Sequence, residues 1–241
     1  MLFRILTICW NRRCLPDDFK DTNIITLYKN KGDDRDCNSY RGISLLWIAG
    51  KVFARLLLPR VRQIADRILP ESQCGFRPSR STSDMVVSLR QLQEKSVEQS
   101  RPLYVVFIDV TKAFDTVSRS GLYNILKLLG CPETLLSILV AFHENMKARV
   151  QFDGSMSKTF PICRGVKQGC VLAPTLFGIF FQLFLYTLSH RRMESCSTLV
   201  APAGCLNLSR LHAKIKTKHV LIRELLYADD TALVAHSEVH L

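Results

Sequence analysis

Three aspartates occupy positions at which acidic side chains could do chemistry. Asp109 lies in the segment F-I-D-V-T-K-A-F-D, and Asp229 and Asp230 interrupt the apolar segment L-L-Y-A-D-D-T-A-L-V. Because burial of an unpaired carboxylate costs several kcal/mol, either these acids lie at the solvated ends of strands or a cation faces them. If the two strands are neighbours, the acids converge. Carboxylates at that range repel one another unless they are protonated or share a divalent cation.

Magnesium is the cation that best suits such a group of acids. Mg²⁺ takes oxygen ligands and is usually held by one or two carboxylates together with substrate phosphates. Two such ions support phosphoryl transfer, because one activates the attacking hydroxyl and the other stabilises the leaving oxygen. The acids therefore suit a two-ion site for phosphoryl transfer, and a solvated acidic turn is the alternative.

A glycine-containing loop, G-V-K-Q-G-C-V-L-A-P, occupies residues 165–174. Gly165 and Gly169 allow close approach of the backbone, and Gln168 offers a side-chain amide on a loop. As a structural element the loop is a turn before a helix. As a functional element it could line a groove for a nucleotide or a template.

Strands and helices must hold these residues in place, and the sequence predicts a mixture of both. The β-branched and aromatic run at residues 103–110 predicts a buried central strand that ends near Asp109. Apolar residues at helical spacing predict several helices. The other predicted elements are a strand at residues 23–28, a helix within residues 43–68 with Val52, Leu56 and Leu57 inward, a helix capped by Thr82 or Ser83, a helix opened by Ser118 or Ser120, two strands joined through Asp153-Gly154, a buried helix at residues 171–189 and a basic strand-like stretch at residues 206–226. The elements do not alternate as regular βαβ units, so the predicted fold class is α+β.

Composition favours an intracellular protein whose partner is rich in phosphate. Lys and Arg number 33 against 21 acids, which gives a formal net charge of +12. A merely soluble basic surface is the alternative. Nine cysteines without a C-x-x-C pair argue against a disulfide framework and a secreted protein. Pro174, Gly178 and Gln182 interrupt the long apolar stretch, which favours a buried helix over a membrane span.

Six segments together resemble the reverse transcriptase domain of non-LTR (LINE-type) retrotransposons. Any one of them is a weak signal, but their order and spacing are specific. They are L-Y-K-N-K-G-D-D (27–34), S-Y-R-G-I-S-L-L (39–46), Q-C-G-F-R-P-S-R-S-T-S-D (73–84), F-I-D-V-T-K-A-F-D (107–115), G-V-K-Q-G-C-V-L-A-P (165–174) and Y-A-D-D (227–230). The resemblance covers nearly the whole chain.

The resemblance implies a role for each matching residue. Asp109, Asp229 and Asp230 would be the catalytic acids, with Asp109, Asp229 and the carbonyl of Val110 as ligands of two Mg²⁺ ions. The residues implied to bind the incoming nucleotide are Arg41 with Lys29 or Lys31, Phe114 as the bulky residue that excludes a ribose 2′-hydroxyl, and Gln168 with Gly169. The residues implied to contact template or primer are Gly75, Phe76, Arg77, Arg210, Lys214, Lys216 and Lys218. The alternatives are that Phe114 is a plain core aromatic and that the basic residues form a solvated surface.

The resemblance also implies a domain order. Residues 1–101 and 122–164 would form the fingers of a right-hand polymerase. Residues 102–121 and 165–241 would form the palm, with an antiparallel sheet packed on helices. We expect neither the thumb nor the endonuclease of such elements within these 241 residues. The sequence is accordingly interpreted as a piece of a longer reading frame or as the remnant of a decayed element.

The function implied is that of an RNA-directed DNA polymerase serving retrotransposition. It would add deoxynucleoside triphosphates to the 3′-hydroxyl of a DNA primer on an RNA template, in the nucleus or the cytoplasm and without a membrane. Two alternatives stay open at this point: a nucleic-acid-binding remnant that does not turn over, and an RNA-templated RNA polymerase, against which Phe114 argues.

Overall fold

The structure is a computed structural model that describes residues 1–195, 222 and 224–237. The chain divides into two compact units, and each is assembled from two separate stretches. The first unit comprises Met1–Ile68 and Lys112–Leu183, and the second comprises Leu69–Thr111 and Phe184–Leu241. The finer division into fingers and palm segments at residues 101, 121 and 164 stays a prediction.

Helices and strands alternate irregularly along the described residues, which confirms the α+β prediction. The helices are α1 (Leu2–Arg12), α2 (Asp17–Lys20), α3 (Ile48–Ala65), α4 (Thr82–Glu98), α5 (Ala113–Thr116), α6 (Arg119–Leu128), α7 (Glu133–Ala141) and α8 (Ala173–Ser195). The strands are β1 (Thr22–Tyr28), β2 (Tyr40–Leu46), β3 (Tyr104–Ile108), β4 (Lys147–Phe152), β5 (Ser155–Met156), β6 (Phe160–Pro161), β7 (Glu224–Tyr227) and β8 (Asp230–Ala235).

A mixed sheet forms the β layer of the first unit. Its strands run in the order β2-β1-β4-β5, and β6 also pairs with β4. β1 is antiparallel to β2, from Thr22 opposite Leu46 to Tyr28 opposite Tyr40, and parallel to β4. The core of this unit consists of apolar side chains that are at most 2% exposed. They include Leu57 and Val61 of α3, Leu122 and Leu126 of α6, and Leu135, Ile138 and Leu139 of α7.

The prediction of one helix within residues 43–68 was wrong at its beginning. Ile43 to Leu46 belong to β2, and the helix α3 begins at Ile48. The backbone there is paired with β1, so strand pairing overrides the apolar pattern that indicated a helix. The predicted inward face is also displaced, since Leu56 is 52% exposed whereas Phe53 and Leu57 are buried.

An antiparallel sheet in the order β3-β8-β7 organises the second unit. β3 pairs with β8 from Tyr104 opposite Ala235 to Ile108 opposite Thr231. β7 and β8 form a hairpin that closes with Tyr227 opposite Asp230.

The prediction that residues 103–110 form a buried central strand was wrong. Among the described residues β3 pairs with β8 alone, so it is an edge strand, and its Phe107 is 73% exposed. A continuous apolar run does not by itself distinguish an edge strand from one that is covered on both faces. None of the described helices combines the length and the apolar character needed to cross a membrane.

Candidate active site

The sheet register of the second unit brings the three aspartates to one end of the sheet. Asp109 directly follows Ile108, which is paired with Thr231, and Asp230 directly precedes Thr231. Asp229 lies in the turn between β7 and β8. The strands that carry Asp109 and Asp229 are therefore neighbours, which was the condition for the acids to converge. Asp109 and Asp230 are exposed, so solvent or a ligand can reach both carboxylates.

The donor set at this end of the sheet fits a hard divalent ion held together with a substrate. It consists of carboxylate oxygens from two adjacent strands and the main-chain carbonyl of Val110, and Mg²⁺ prefers oxygen donors of this kind. Among the described residues no group of three or more His, Cys, Asp and Glu side chains could hold a metal ion, so these side chains alone do not form a complete ion site. Substrate phosphate oxygens would have to supply further ligands, as they commonly do for Mg²⁺ in nucleotide chemistry.

The side chain of Gln73 anchors the turn that carries Asp229. Gln73 is 1% exposed. Its Oε1 accepts hydrogen bonds from the backbone N–H of Gly75 (2.8 Å) and of Ala228 (3.1 Å), and its Nε2 donates to the carbonyl of Ala228 at 3.4 Å. Ala228 has a φ of 60°, a left-handed conformation that disfavours an L residue by about 1–2 kcal/mol. One buried amide therefore holds both backbone groups of the strained residue next to Asp229.

The backbone of residues 72–75 also pairs with β7. The N–H of Leu226 donates to the carbonyl of Ser72 (2.9 Å), and the N–H of Cys74 donates to the carbonyl of Leu226 (2.8 Å). At Gly75 the chains approach so closely that a Cβ would lie 2.0 Å from the nitrogen of Ala228. Only glycine fits there, so the predicted nucleic-acid contact Gly75 has a structural role in supporting the acidic turn.

The neighbours of Gly75 differ in their surroundings. Phe76 is 50% exposed and has a φ of 57°. The guanidinium of Arg77 is turned back on its own loop, where Nη1 donates to the carbonyls of Pro70 (2.8 Å) and Gln73 (3.3 Å). Arg77 therefore stabilises the loop, and a contact of Phe76 or Arg77 with a template strand stays a prediction.

In the first unit, the predicted triphosphate contacts lie on the β1–β2 hairpin. Arg41 is exposed. In the pairing of β1 with β2 it lies opposite Leu27, which is two residues before Lys29. The Nζ of Lys29 donates to the carbonyl of Asn38 at 2.8 Å. Lys112, which sequence reasoning did not select, reaches the side-chain oxygen of the same Asn38 at 3.2 Å. The structure thus gathers Lys29, Arg41 and Lys112 around one hairpin, while Lys31 lies exposed in its turn.

The glycine-containing loop lies against the edge strand of this hairpin. The carbonyl of Gln168 accepts a hydrogen bond from the N–H of Ser44 at 2.7 Å. A Cβ on Gly169 would lie 2.5 Å from the carbonyl oxygen of Ser44. Gln168 and Ser44 line a cavity of about 130 Å³, together with Asp115 and Arg164. Burial raises the pKa of the Asp115 carboxyl, and the nearby Lys112 opposes this shift.

Phe114 packs on the aromatic side chains of α8. Its ring stacks on Phe177 with centroids 4.7 Å apart, and Phe177 stacks in turn on Phe181 at 5.3 Å. The carbonyl of Phe114 accepts a hydrogen bond from the N–H of Val166 at 2.8 Å, which ties it to the loop of Gln168. Phe114 is therefore rigidly supported and partly exposed, as a residue that excludes by bulk must be.

Four predicted nucleic-acid contacts, Arg210, Lys214, Lys216 and Lys218, lie outside the described residues. Gln73 and Lys112 lie within segments that resemble the family, at residues 73–84 and 107–115, but the sequence did not indicate a role for either residue. The partner of Gln73 is 155 residues away along the chain, and that of Lys112 is 74 residues away.

Comparison with known proteins identifies the family of the chain and the class of its fold. The family model described as "Reverse transcriptase (RNA-dependent DNA polymerase)" matches residues 28–241. The chain therefore belongs to the reverse transcriptase family. Telomerase from Candida tropicalis, truncated from its C-terminal domain, shares the fold with a TM-score of 0.59 at 12% identity, over 98% of this chain and 49% of that one. Telomerase from Candida albicans matches with a TM-score of 0.58 at 11% identity, over 98% and 41% of the two chains.

The relatives place the chain among the reverse transcriptases of non-LTR retrotransposons. The RNA-directed DNA polymerase from mobile element jockey of Drosophila melanogaster is 34% identical over 167 residues, which are 68% of this chain and 18% of that protein. The transposon TX1 149 kDa protein of Xenopus laevis is 26% identical over 238 residues, or 99% of this chain and 17% of that protein. The chain thus spans less than a fifth of the length of these relatives.

Proposed function

We propose that this chain carries the nucleotide-adding centre of a non-LTR retrotransposon reverse transcriptase. The reaction is the templated transfer of a deoxynucleoside monophosphate unit from its triphosphate to the 3′-hydroxyl of a DNA primer, with pyrophosphate as the leaving group and RNA as the template. The observation that carries the proposal is the pairing of β3 with β8, whose register sets Asp109 beside the turn of Asp229 and Asp230. Membership of the reverse transcriptase family supports the same reaction.

Two Mg²⁺ ions, held by Asp109, Asp229 and the carbonyl of Val110, would supply the positive charge that phosphoryl transfer requires. The side chains do the positioning. Asp109 and Asp229 present their carboxylates from neighbouring strands, and Asp230 adds negative charge beside them. Gln73 and Gly75 fix the backbone of the turn that carries Asp229, which limits the positions that its carboxylate can take.

Separate residues of the first unit would select the nucleotide. Arg41, Lys29 and Lys112 offer cations for the triphosphate, and the Gln168 loop offers an amide. Phe114 excludes a ribose 2′-hydroxyl by its bulk, which favours deoxynucleotides over ribonucleotides. The proposal implies an intracellular protein, in the nucleus, the cytoplasm or both, because its RNA template and its DNA target are found there.

Primer extension tests the proposal. The chain is incubated with poly-rA, oligo-dT, dTTP and Mg²⁺, beside an Asp229→Asn variant that keeps the shape of the turn and removes the charge. Loss of an ion ligand at phosphoryl transfer removes several kcal/mol of transition-state stabilisation, so extension falls by at least about 100-fold. Asp153→Asn is the matched control, since Asp153 lies in the exposed turn between β4 and β5.

Two results would contradict the proposal. If the chain binds the primer–template without extending it, the nucleic-acid-binding remnant is the correct reading of this chain. If Asp229→Asn extends the primer as fast as Asp153→Asn does, the acids do not form the catalytic centre. Chelation of divalent cations with EDTA must also stop extension, and addition of Mg²⁺ must restore it.

A further inference from the structure

The first unit contains two poorly exposed cations that contact main-chain carbonyls instead of carboxylates. Lys167 is 4% exposed, and Arg119 is half-buried at the first position of α6. Within the part of the chain that the structure describes, neither side chain lies within ion-pair distance of a carboxylate. Withdrawing a cation from water without a counter-ion is costly, so the carbonyls that these residues hold must matter to the fold or to the site.

Arg119 holds the segment that leads into Gln168. Its Nε donates to the carbonyl of Gly165 at 2.9 Å, and its Nη2 donates to that of Arg164 at 3.0 Å. Its Nη1 donates to the carbonyls of Ile162 (3.0 Å) and His143 (2.8 Å). The planar guanidinium fixes the directions of these donors, so it orients several carbonyls of an irregular segment at once.

Lys167, the residue directly before Gln168, attaches the same loop to two other segments through its side chain. Its Nζ donates to the carbonyl of Phe142 at 3.0 Å and to that of Lys20. Burial lowers its pKa to about 8, and Cys170 and Asp21 oppose this shift while Arg119 and Lys20 add to it. Lys167 therefore joins the loop to the end of α2 and to the residue that follows α7.

Backbone hydrogen bonds complete the attachment of the loop. The N–H of Gly165 donates to the carbonyl of Val117 (3.0 Å), and the N–H of Val166 donates to that of Phe114 (2.8 Å). With Arg119 on one side and Ser44 on the other, each residue from Arg164 to Gln168 has at least one contact that fixes its backbone or side chain. The backbone that leads to Gln168 is therefore fixed from Arg164 onward.

We propose that Arg119 is a positioning residue for nucleotide addition: together with Lys167 it sets the backbone of residues 162–167 and thereby orients Gln168 toward the incoming nucleotide. The inference rests on the proposed function of the Gln168 loop. Arg119 touches neither the nucleotide nor the reacting atoms. It acts through the carbonyls of the loop, so its loss weakens nucleotide binding rather than primer–template binding.

The test compares Arg119→Lys with Arg13→Lys, a control in the same unit whose arginine forms an exposed ion pair with Glu133. The dissociation constant of dTTP is measured on a complex of the chain with poly-rA and a dideoxy-terminated oligo-dT primer, which prevents turnover. Lysine keeps the charge but cannot span the carbonyls, so dTTP affinity falls roughly 10-fold while primer–template affinity stays unchanged. Backbone hydrogen exchange of residues 162–168 accelerates in Arg119→Lys and not in Arg13→Lys.

A second variant shows whether Arg119 acts through Gln168. In a Gln168→Ala background, Arg119→Lys should cause less than a threefold further loss of dTTP affinity, because the amide that it orients is gone. An undiminished loss, unchanged dTTP affinity in Arg119→Lys alone, or an equal loss of dTTP and primer–template binding would each overturn the inference. A chain that binds dTTP in this Arg119-dependent way but extends no primer would refute the proposed catalysis and leave the inference standing.

Discussion

Replacement of Gln73 by leucine tests how the acidic turn is held. Leucine keeps the approximate volume of the side chain but removes the acceptor that receives the N–H groups of Gly75 and Ala228. Both donors lie in buried residues, and an unsatisfied buried donor costs about 1–3 kcal/mol. We therefore expect the opening of the turn to become easier by about 2–6 kcal/mol for the two donors together.

Hydrogen exchange of single backbone amides measures this opening directly. A tenfold change in an equilibrium constant corresponds to about 1.4 kcal/mol, so the amide of Ala228 should exchange at least about 30-fold faster in Gln73→Leu. Gln93→Leu is the matched control, because Gln93 is exposed on α4 in the same unit. Primer extension should fall in Gln73→Leu, since Asp229 follows Ala228 directly.

The reasoning fails if the amide of Ala228 exchanges at the same rate in Gln73→Leu and in the unaltered chain. In that case the hydrogen bonds to Gln73 do not hold the turn, and the left-handed conformation of Ala228 has another cause. A Gln73→Glu variant separates the acceptor from the donor. It restores the acceptor for the two N–H groups and loses the donor to the carbonyl of Ala228, so its exchange rate should lie between those of glutamine and leucine.

Three further predictions concern single residues. In Gly75→Ala the new Cβ would lie 2.0 Å from the nitrogen of Ala228, so thermal or urea denaturation should show that the free energy of unfolding falls by about 3 kcal/mol. Gly121→Ala is the control and should change it little, because its Cβ would meet only ordinary contacts. Burial lowers the pKa of His143 to about 3. Between pH 6.5 and 3 this histidine is therefore protonated in the unfolded chain but not in the folded chain. The free energy of unfolding should fall as the pH decreases through this range, and a His143→Leu variant that retained the full slope would contradict this cause. Phe114→Ala should raise the incorporation of ribonucleotides relative to deoxynucleotides in primer extension, and an unchanged ratio would show that Phe114 is a core aromatic without a selective role.

The sequence predicted which residues lie at the ends of the strands better than it predicted how exposed each strand is. Asp109 and Asp229 were expected to converge on condition that their strands were neighbours, and the β3–β8 register meets that condition. The exposure of β3 was not predictable from its own residues, because burial depends on which elements cover a strand rather than on its apolar content. The start of α3 was misplaced for a related reason. Apolar residues at 43–46 suit a helix or a strand, and only the pairing of β2 with β1 decides between them.

The supporting residues were the least predictable part of the candidate site. Gln73, Arg119 and Lys167 are polar residues with ordinary neighbours in sequence, and the atoms they contact lie on distant segments. Resemblance to the family marked Gln168 and Asp229, which would face substrates. It assigned no role to Gln73 or Lys167, although both lie within the matching segments, because the main-chain carbonyls and N–H groups that they contact carry no sequence signature.

The interleaved assembly of the first unit has a consequence for synthesis of the protein. Strand β1 lies between β2 and β4 in the sheet. Thr22 of β1 pairs with Ala148 of β4, although the two residues lie far apart along the chain. The β1–β2 hairpin can form early, but one edge of β1 stays unpaired until the ribosome has made β4, a delay on the order of ten seconds at common elongation rates. An unpaired edge is a template for pairing with another chain. The nascent polypeptide therefore passes through an interval in which it is prone to aggregate, and chaperone supply should affect its soluble yield more than changes on the surface of the finished fold.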